Sequence, residues 1–281
     1  MELFRPKYDD GVYDISNDSY HESCGLSRSA LMEFKRSPFH YQQKYLVEHE
    51  PKPATPAMIM GNLIHTLTLE PSKFDNEFVV MPKVDRRTKD GKHIYNFFQG
   101  ALCRRLAISE DDYQKAQAIA EAVRRHPLAE SLLDGCLVEQ SIYFTHKATG
   151  IQAKARPDGW NGSIVIDLKT TADASFRAFQ SSAFKYGYFL QAGLIREALY
   201  SINIEMERFV FIAVEKESPY AVGIYLLDDE ALDYGVNQFN ELMNNYASCL
   251  ERNRWPGYQL QTLTLPKYAN FDVIESIEDE E

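Results

Sequence analysis

Three residues in the middle of the chain have types and a spacing that suit phosphodiester hydrolysis: Asp158, Asp167 and Lys169. That reaction needs a nucleophilic water, in-line geometry and a sink for the charge developing on the phosphoryl and leaving oxygens. A hard divalent cation such as Mg²⁺ is held by one or two carboxylates plus waters and substrate phosphate. Asp158 and Asp167 are candidate ligands. Lys169 is the candidate group for orienting the attacking water or stabilising negative charge. Taken alone, the same residues equally describe a surface hairpin whose charges are solvated.

The elements that must position them are two short strands. Ile151, Ala153 and Ala155 alternate with Gln152, Lys154 and Arg156, the period of a half-buried strand. Asp158-Gly159-Trp160-Asn161-Gly162 reads as the turn. From Ser163 to Lys169 the chain puts Ile164, Ile166 and Leu168 on one face and Val165, Asp167 and Lys169 on the other. Asp158 then arrives at the end of the neighbouring strand.

Pro157-Asp158 followed by Asp167-x-Lys169 resembles the PD-(D/E)xK signature. Further stretches resemble, in order, the nuclease domain of RecE-type exonuclease VIII: DISNDSYH (14–21), GLSRSAL (25–31), GNLIHTLTLEPSKF (61–74), DRRTKDGK (85–92), EQSIYF (139–144), DLKTTAD (167–173) and a closing WP…TLTLP (255–266). The resemblance spans nearly the whole chain. It implies a restriction-endonuclease-like α/β core, a mixed sheet flanked by helices, with extra N-terminal helices. It also implies a Mg²⁺-dependent 5′-to-3′ exonuclease acting on double-stranded DNA ends, with Mn²⁺ able to substitute. The implied assembly is a ring-shaped homo-oligomer, a tetramer, that passes 3′-tailed DNA to a single-strand annealing protein. A RecB-like single-strand nuclease or endonuclease would use the same residues, and a catalytically silent DNA-binding module is the alternative from another class.

The resemblance also extends the site. His65, four residues after Gly61, stands where RecB-like nucleases place a histidine beside the metal, although a lone histidine on an apolar helix also serves as a core or capping residue. Glu139 resembles the acidic residue those enzymes supply from their first strand. Gln191 falls in the place of a Gln-xxx-Tyr motif, but Ile195 replaces the tyrosine; Tyr188, three residues before Gln191 on the same helical face, is the candidate substitute. Ser37-Pro38 stands where iron–sulfur members of the group have Cys-Pro, so no iron–sulfur cluster is expected.

Composition bounds these readings. The chain has 281 residues, 44% of them hydrophobic and 12% aromatic, enough for a substantial core. We read residues 1–273 as one domain and 274–281 as an acidic tail. The four cysteines form no CxxC and are read as buried thiols. Neither a signal peptide nor a membrane-spanning run is visible, so the expectation is cytoplasmic with no membrane association. A net charge of −11 excludes a broad basic coat for nucleic acid. DNA must then meet local tracks. Candidates are Lys83–Lys92, including Arg86 and Arg87; Arg104-Arg105; Arg124-Arg125; Arg156; and a helix N-terminus carrying Ser27, Arg28 and Ser29. Tyr188 is a further DNA-binding candidate.

Periodicity predicts helices from Ser27 through Phe34, interrupted at Pro38, and over 57–69, 96–106, 110–125, 127–133, 175–200 and 229–251. It predicts strands over 141–145, 208–215 and 221–227. Residues 1–25 read as irregular, 51–56 as a proline-rich connector and 83–91 as a flexible loop.

Overall fold

The computed structural model describes residues 8–47, 54–100, 102 and 105–265. Cys103, Arg104, Pro266 and the acidic tail therefore lie outside the described residues, as do residues 51–53 of the 51–56 connector. In chain order the first half forms β1 (Gly11–Tyr13), α1 (Asn17–Glu22), α2 (Arg28–Arg36), α3 (Pro38–Tyr41), which continues into a π-helical turn (Gln42–Val47), and α4 (Pro56–Leu69). A 3-10 turn (Pro71–Lys73) leads to α5 (Phe74–Glu77), β2 (Phe78–Met81), α6 (Lys89–Gly100), β3 (Leu106–Ser109), α7 (Glu110–Arg125) and α8 (Pro127–Leu133). The second half comprises β4 (Leu137–Val138), β5 (Ser141–Thr145), β6 (Gln152–Ala155), β7 (Gly159–Asn161), β8 (Ile164–Thr171), α9 (Phe176–Lys185), α10 (Tyr188–Ser201), β9 (Arg208–Glu215), β10 (Val222–Leu226) and α11 (Asp229–Arg252).

The central sheet is mixed, in the order β10-β9-β8-β7-β4, with β8 and β9 parallel and the remaining pairs antiparallel. Both faces of β8 are covered. Ile166 and Leu168 pack with Ile212 and Val214 against α4 and α7, while Val165 joins Phe209 and Phe211 against α10 and α11. Burying each such apolar side chain contributes about 1.5–3 kcal/mol, so the strand carrying Asp167 is firmly held on both faces.

The expected hairpin of 151–156 with 163–169 is corrected. β6 pairs with β5 in a second sheet, β1-β5-β6, and does not pair with β8. Gly159–Asn161, read as turn, is β7, the strand that pairs with β8. Pro157 explains the division, because a proline nitrogen has no hydrogen to donate and ends the ladder there. Nor does β6 have a solvent face: Lys154 is 4% exposed.

The expected single helix over 175–200 divides at Gly187, whose φ of 69° lies in the left-handed region. A Cβ there would also meet the Met32 side chain. The break frees α10 to set its own axis. It crosses α11 closely at Gly193 and Gly235, where a Cβ on either residue would collide with the other helix's backbone.

Other departures are local. α6 begins at Lys89, inside the expected loop, and residues 106–109 form β3, parallel to β2 with α6 as the crossover. The N-terminal stretch contains β1, paired to β5, and α1 capped by Ser16. Its Tyr20 is buried. Trp255 closes the body against Phe34, Tyr41 and Tyr246. Cys24, Cys136 and Cys249 are half-buried rather than buried. Among the described residues no helix is long and apolar enough to cross a membrane.

Candidate active site

Asp158 lies in the step from β6 to β7, where the chain passes from one sheet to the other. Its carboxylate continues the ladder that Pro157 interrupts, with Oδ2 accepting the Leu168 amide at 2.6 Å. The bond holds the Asp158 carboxylate against β8 at the peptide that joins Asp167 to Leu168. Glu139 occupies the equivalent step between β4 and β5 and donates its amide to the Asp158 carbonyl at 3.2 Å. Its φ of 52° is costly for a residue with a Cβ, and strain of this kind persists where the surroundings hold it.

α4 brings His65 to the same point. One ligand atom each from His65, Glu139 and Asp158 lies within 4.8 Å of the others, and His65 Nδ1 is 3.7 Å from Asp158 Oδ2. The cluster is enclosed on the protein side, Asp158 being 8% exposed. Gly61 lies one helical turn before His65, and a Cβ there would meet nothing within 4 Å. The glycine is not required by packing and leaves open space on the His65 face of α4.

Asp167 is fully buried on β8. Gln191, from the first turn of α10, donates from Nε2 to Asp167 Oδ1 at 2.5 Å. Oδ2 forms a close ion pair with Lys169 whose alignment is not that of a hydrogen bond. Tyr188 opens α10 with its ring centroid 5.0 Å from Lys169 Nζ. Position 195, where the resemblance expects tyrosine, holds an isoleucine in the apolar core. Tyr188 therefore supplies the aromatic face at the site.

The electrostatics are those of crowded acids. Burial, then the Asp158 charge, pushes the Glu139 carboxyl up to about 8, with Arg156 opposing. Burial also pushes Asp167 up to about 7, helped by Asp158 and opposed by Lys169. Burial pulls the Lys169 ammonium down, but the Asp167 and Asp158 charges together outweigh it and the net shift is upward. Carboxylates gathered where they resist ionising together are suited to a cation. Two carboxylates and an imidazole within reach of one another form a donor set that fits a divalent ion, so the residues pass the chemical test for a metal.

Glu139 joins Asp158 and His65 in the closest donor cluster, whereas Asp167, the expected second ligand, is engaged by Gln191 and Lys169. The expected DNA contacts are dispersed. Arg28 borders the site, with Cζ 5.8 Å from the Tyr188 ring and a hydrogen bond from Nη2 to the Tyr186 carbonyl. Ser27 caps α2, accepting from the Ala30 amide, while Ser29 is exposed on its first turn. Arg86 is exposed and stacks 4.8 Å from Tyr95. Arg87 is committed to Asp85 through Nε and Nη2. Arg124 donates to the Leu67 carbonyl and Arg125 pairs with Glu121. Arg156 is interior, its side chain 8% exposed, and borders Glu139 instead of an external track. Ser141 and Tyr20, which hold that guanidinium, were not singled out as site residues. They carry no spacing signal, because sheet pairing alone brings them there.

In fold the chain is similar to a "Putative exonuclease" from Eubacterium rectale, 13% identical, with a TM-score of 0.57, covering 89% of this chain and 97% of its own. A phage-related exonuclease from Haemophilus somnus is 11% identical with a TM-score of 0.35, covering 84% of this chain and 99% of its own, an overlap too loose to bear on the architecture. No curated protein sequence matches the chain. Residues 27–262 match the family model described as a PDDEXK-like domain of unknown function (DUF3799). The signature residues Asp158, Asp167 and Lys169 all fall within that match, and the chain belongs to this PDDEXK-like family and, through it, to the PD-(D/E)xK nuclease superfamily.

Proposed function

We propose that the chain is a metal-dependent 5′-to-3′ exodeoxyribonuclease of the RecE type that degrades linear double-stranded DNA from its ends. The observation that carries the nuclease chemistry is the donor cluster of His65, Glu139 and Asp158, tied through the Leu168 amide that Asp158 accepts to the strand on which Asp167 meets Gln191 and Lys169. The end-directed polarity and the 3′ single-stranded product are supported by the order of RecE-like sequence landmarks along the chain.

Asp158, Glu139 and His65 would hold the cation, with Asp167 adjoining. When bound, the ion supplies charge neutralisation at the phosphoryl oxygens and acidifies a water. The donor set contains one nitrogen, so Mn²⁺ fits it at least as well as Mg²⁺. Gln191 fixes Asp167 by its hydrogen bond. Lys169 stands between a carboxylate and the Tyr188 ring, which restricts its ammonium to one direction. A lysine so held can orient a water and stabilise charge appearing on the scissile phosphate without reorganising during the step.

A ring-shaped tetramer suits a protein of net charge −11. Enclosure retains a duplex that a broad acidic surface would repel. The 3′-tailed product would pass to a single-strand annealing protein. The decisive assay compares linear duplex with covalently closed circular duplex in Mn²⁺. Digestion of the linear form alone supports the reading. Cutting of the circle would show an endonuclease, and digestion of single strands alone would show a RecB-like single-strand nuclease.

A further inference from the structure

Arg156 stands two residues before Asp158, at the end of β6, and its guanidinium is enclosed on three sides by uncharged groups. Nε and Nη2 donate to Ser141 Oγ at 2.9 and 2.6 Å, and Nη2 also donates to the Ile15 carbonyl at 3.0 Å. Tyr20 lies against its flat face, with Cζ 4.4 Å from the ring centroid. The remaining nitrogen, Nη1, is turned to Glu139 Oε2 at 3.9 Å, an ion-pair distance rather than a hydrogen bond.

A planar fork anchored in this way has little freedom to follow a moving partner. Glu139 is also held through its backbone, by the bond to the Asp158 carbonyl and the left-handed φ described above. Its side chain still has rotatable bonds, and a charge fixed beyond its carboxylate on one side limits where that carboxylate can point. Mutual repulsion with Asp158 would otherwise drive the two acids apart. A general DNA contact is excluded because the guanidinium is interior. A fold-stapling role accounts for the Ser141, Ile15 and Tyr20 contacts but not for the orientation of Nη1 toward an acid of the cluster.

We propose that Arg156 is a positioning residue that holds the Glu139 carboxylate against Asp158 and His65, so that the three donors meet where a divalent cation binds. The N-terminal segment takes part, since Ile15 and Tyr20 supply two sides of the anchor. The inference rests on the metal site put forward under Proposed function.

The test is Mn²⁺ binding to the full chain by calorimetry without DNA, alongside thermal melts and the Mn²⁺ dependence of cleavage. Arg156→Lys keeps the charge but loses the fork. Loss of a group that orients a metal ligand weakens metal binding by about 10–100-fold, and the same loss is expected here with a near wild-type melt. The Mn²⁺ concentration for half-maximal cleavage should rise by the same factor, with turnover recovering as Mn²⁺ is raised. In a Glu139→Gln background, Arg156→Lys should weaken Mn²⁺ binding no further. Unchanged affinity in Arg156→Lys, or an equal loss with and without Glu139, would overturn the proposal. If Arg156→Lys does not fold, Ser141→Ala removes the anchoring hydroxyl and leaves the guanidinium. It should give a smaller loss that again vanishes in Glu139→Gln, and no loss would overturn the proposal. A wild-type chain that binds no Mn²⁺ would instead sink the metal-site reading itself.

Discussion

Gln191 Nε2 and Asp167 Oδ1 meet at 2.5 Å across 24 positions of sequence, joining the first turn of α10 to the middle of a buried strand. Removing the amide leaves an enclosed carboxylate oxygen without its donor. Gln191→Ala should lower single-turnover cleavage by about 10–100-fold with modest change in DNA-end binding. Gln191→Glu should be at least as damaging, because it sets a second acid against Asp167. Cleavage at wild-type rate in Gln191→Ala would remove the residue from the site.

Asp167→Ala deletes the acid at the heart of the signature and should abolish metal-dependent cleavage. Lys169→Ala should abolish turnover while retaining most of the affinity for DNA ends, since it removes charge stabilisation needed in the transition state more than ground-state contact. Separate measurement of end binding and single-turnover rate distinguishes the two effects. Wild-type turnover in Lys169→Ala, or full wild-type activity in chelator, would exclude this mechanism.

His65 is half-exposed on α4, so His65→Ala should change unfolding free energy by no more than about 1 kcal/mol. It should still weaken Mn²⁺ binding and turnover, because it supplies one of three clustered donors. A strongly destabilised variant with unchanged activity per folded molecule would assign His65 to the core.

Gly187 is the joint that separates α9 from α10. Gly187→Ala must place a Cβ at positive φ and against Met32, which should destabilise the fold by about 1–3 kcal/mol. Activity should fall beyond what unfolding explains, because Tyr188 and Gln191 follow immediately on α10. Denaturant melts combined with turnover per folded molecule would check both halves.

The acids give a pH dependence of defined sign. In the metal-free protein Asp167 is pushed up to about 7 and Glu139 to about 8. The native state therefore retains protons that the unfolded chain has released between about pH 4 and those values, so stability falls as pH rises through that window. Lys154, held by the Tyr20 and Ser23 carbonyls and lowered by burial to about 8, works in the opposite direction only above that pH. Melts in chelator at about pH 6, 7 and 8 should show decreasing stability. Added Mn²⁺ should raise the Tm more at the highest of these, where protons compete least. A flat or rising metal-free profile would contradict the assigned shifts.

Much of the site was legible because its chemistry is encoded locally. Asp167 and Lys169 alternate with apolar residues on one strand, and period 2 alone puts them on a common face. The periodicity of α7 and α11 set those helices within a few residues. Arg156 was misplaced for the opposite reason. Alternation made it a solvent-facing cation, whereas β1, α1 and β5 cover that face of β6 and turn a surface charge into an interior one. The 159–161 segment was read as turn because glycine and asparagine are turn formers, yet pairing to β8 makes it a strand.

By itself the sequence determined the signature acids and lysine, the helical and strand periods that present them, and the likeness to a nuclease family. These properties depend on residue type and on spacings of a few positions. Tertiary structure decided which acids face one another. It placed Glu139 with Asp158 and His65, gave Asp167 to Gln191 and Lys169, and divided the strands between two sheets at Pro157. Those outcomes depend on contacts between segments tens of residues apart. Such contacts form when both faces of β8 are buried, and no local period carries them.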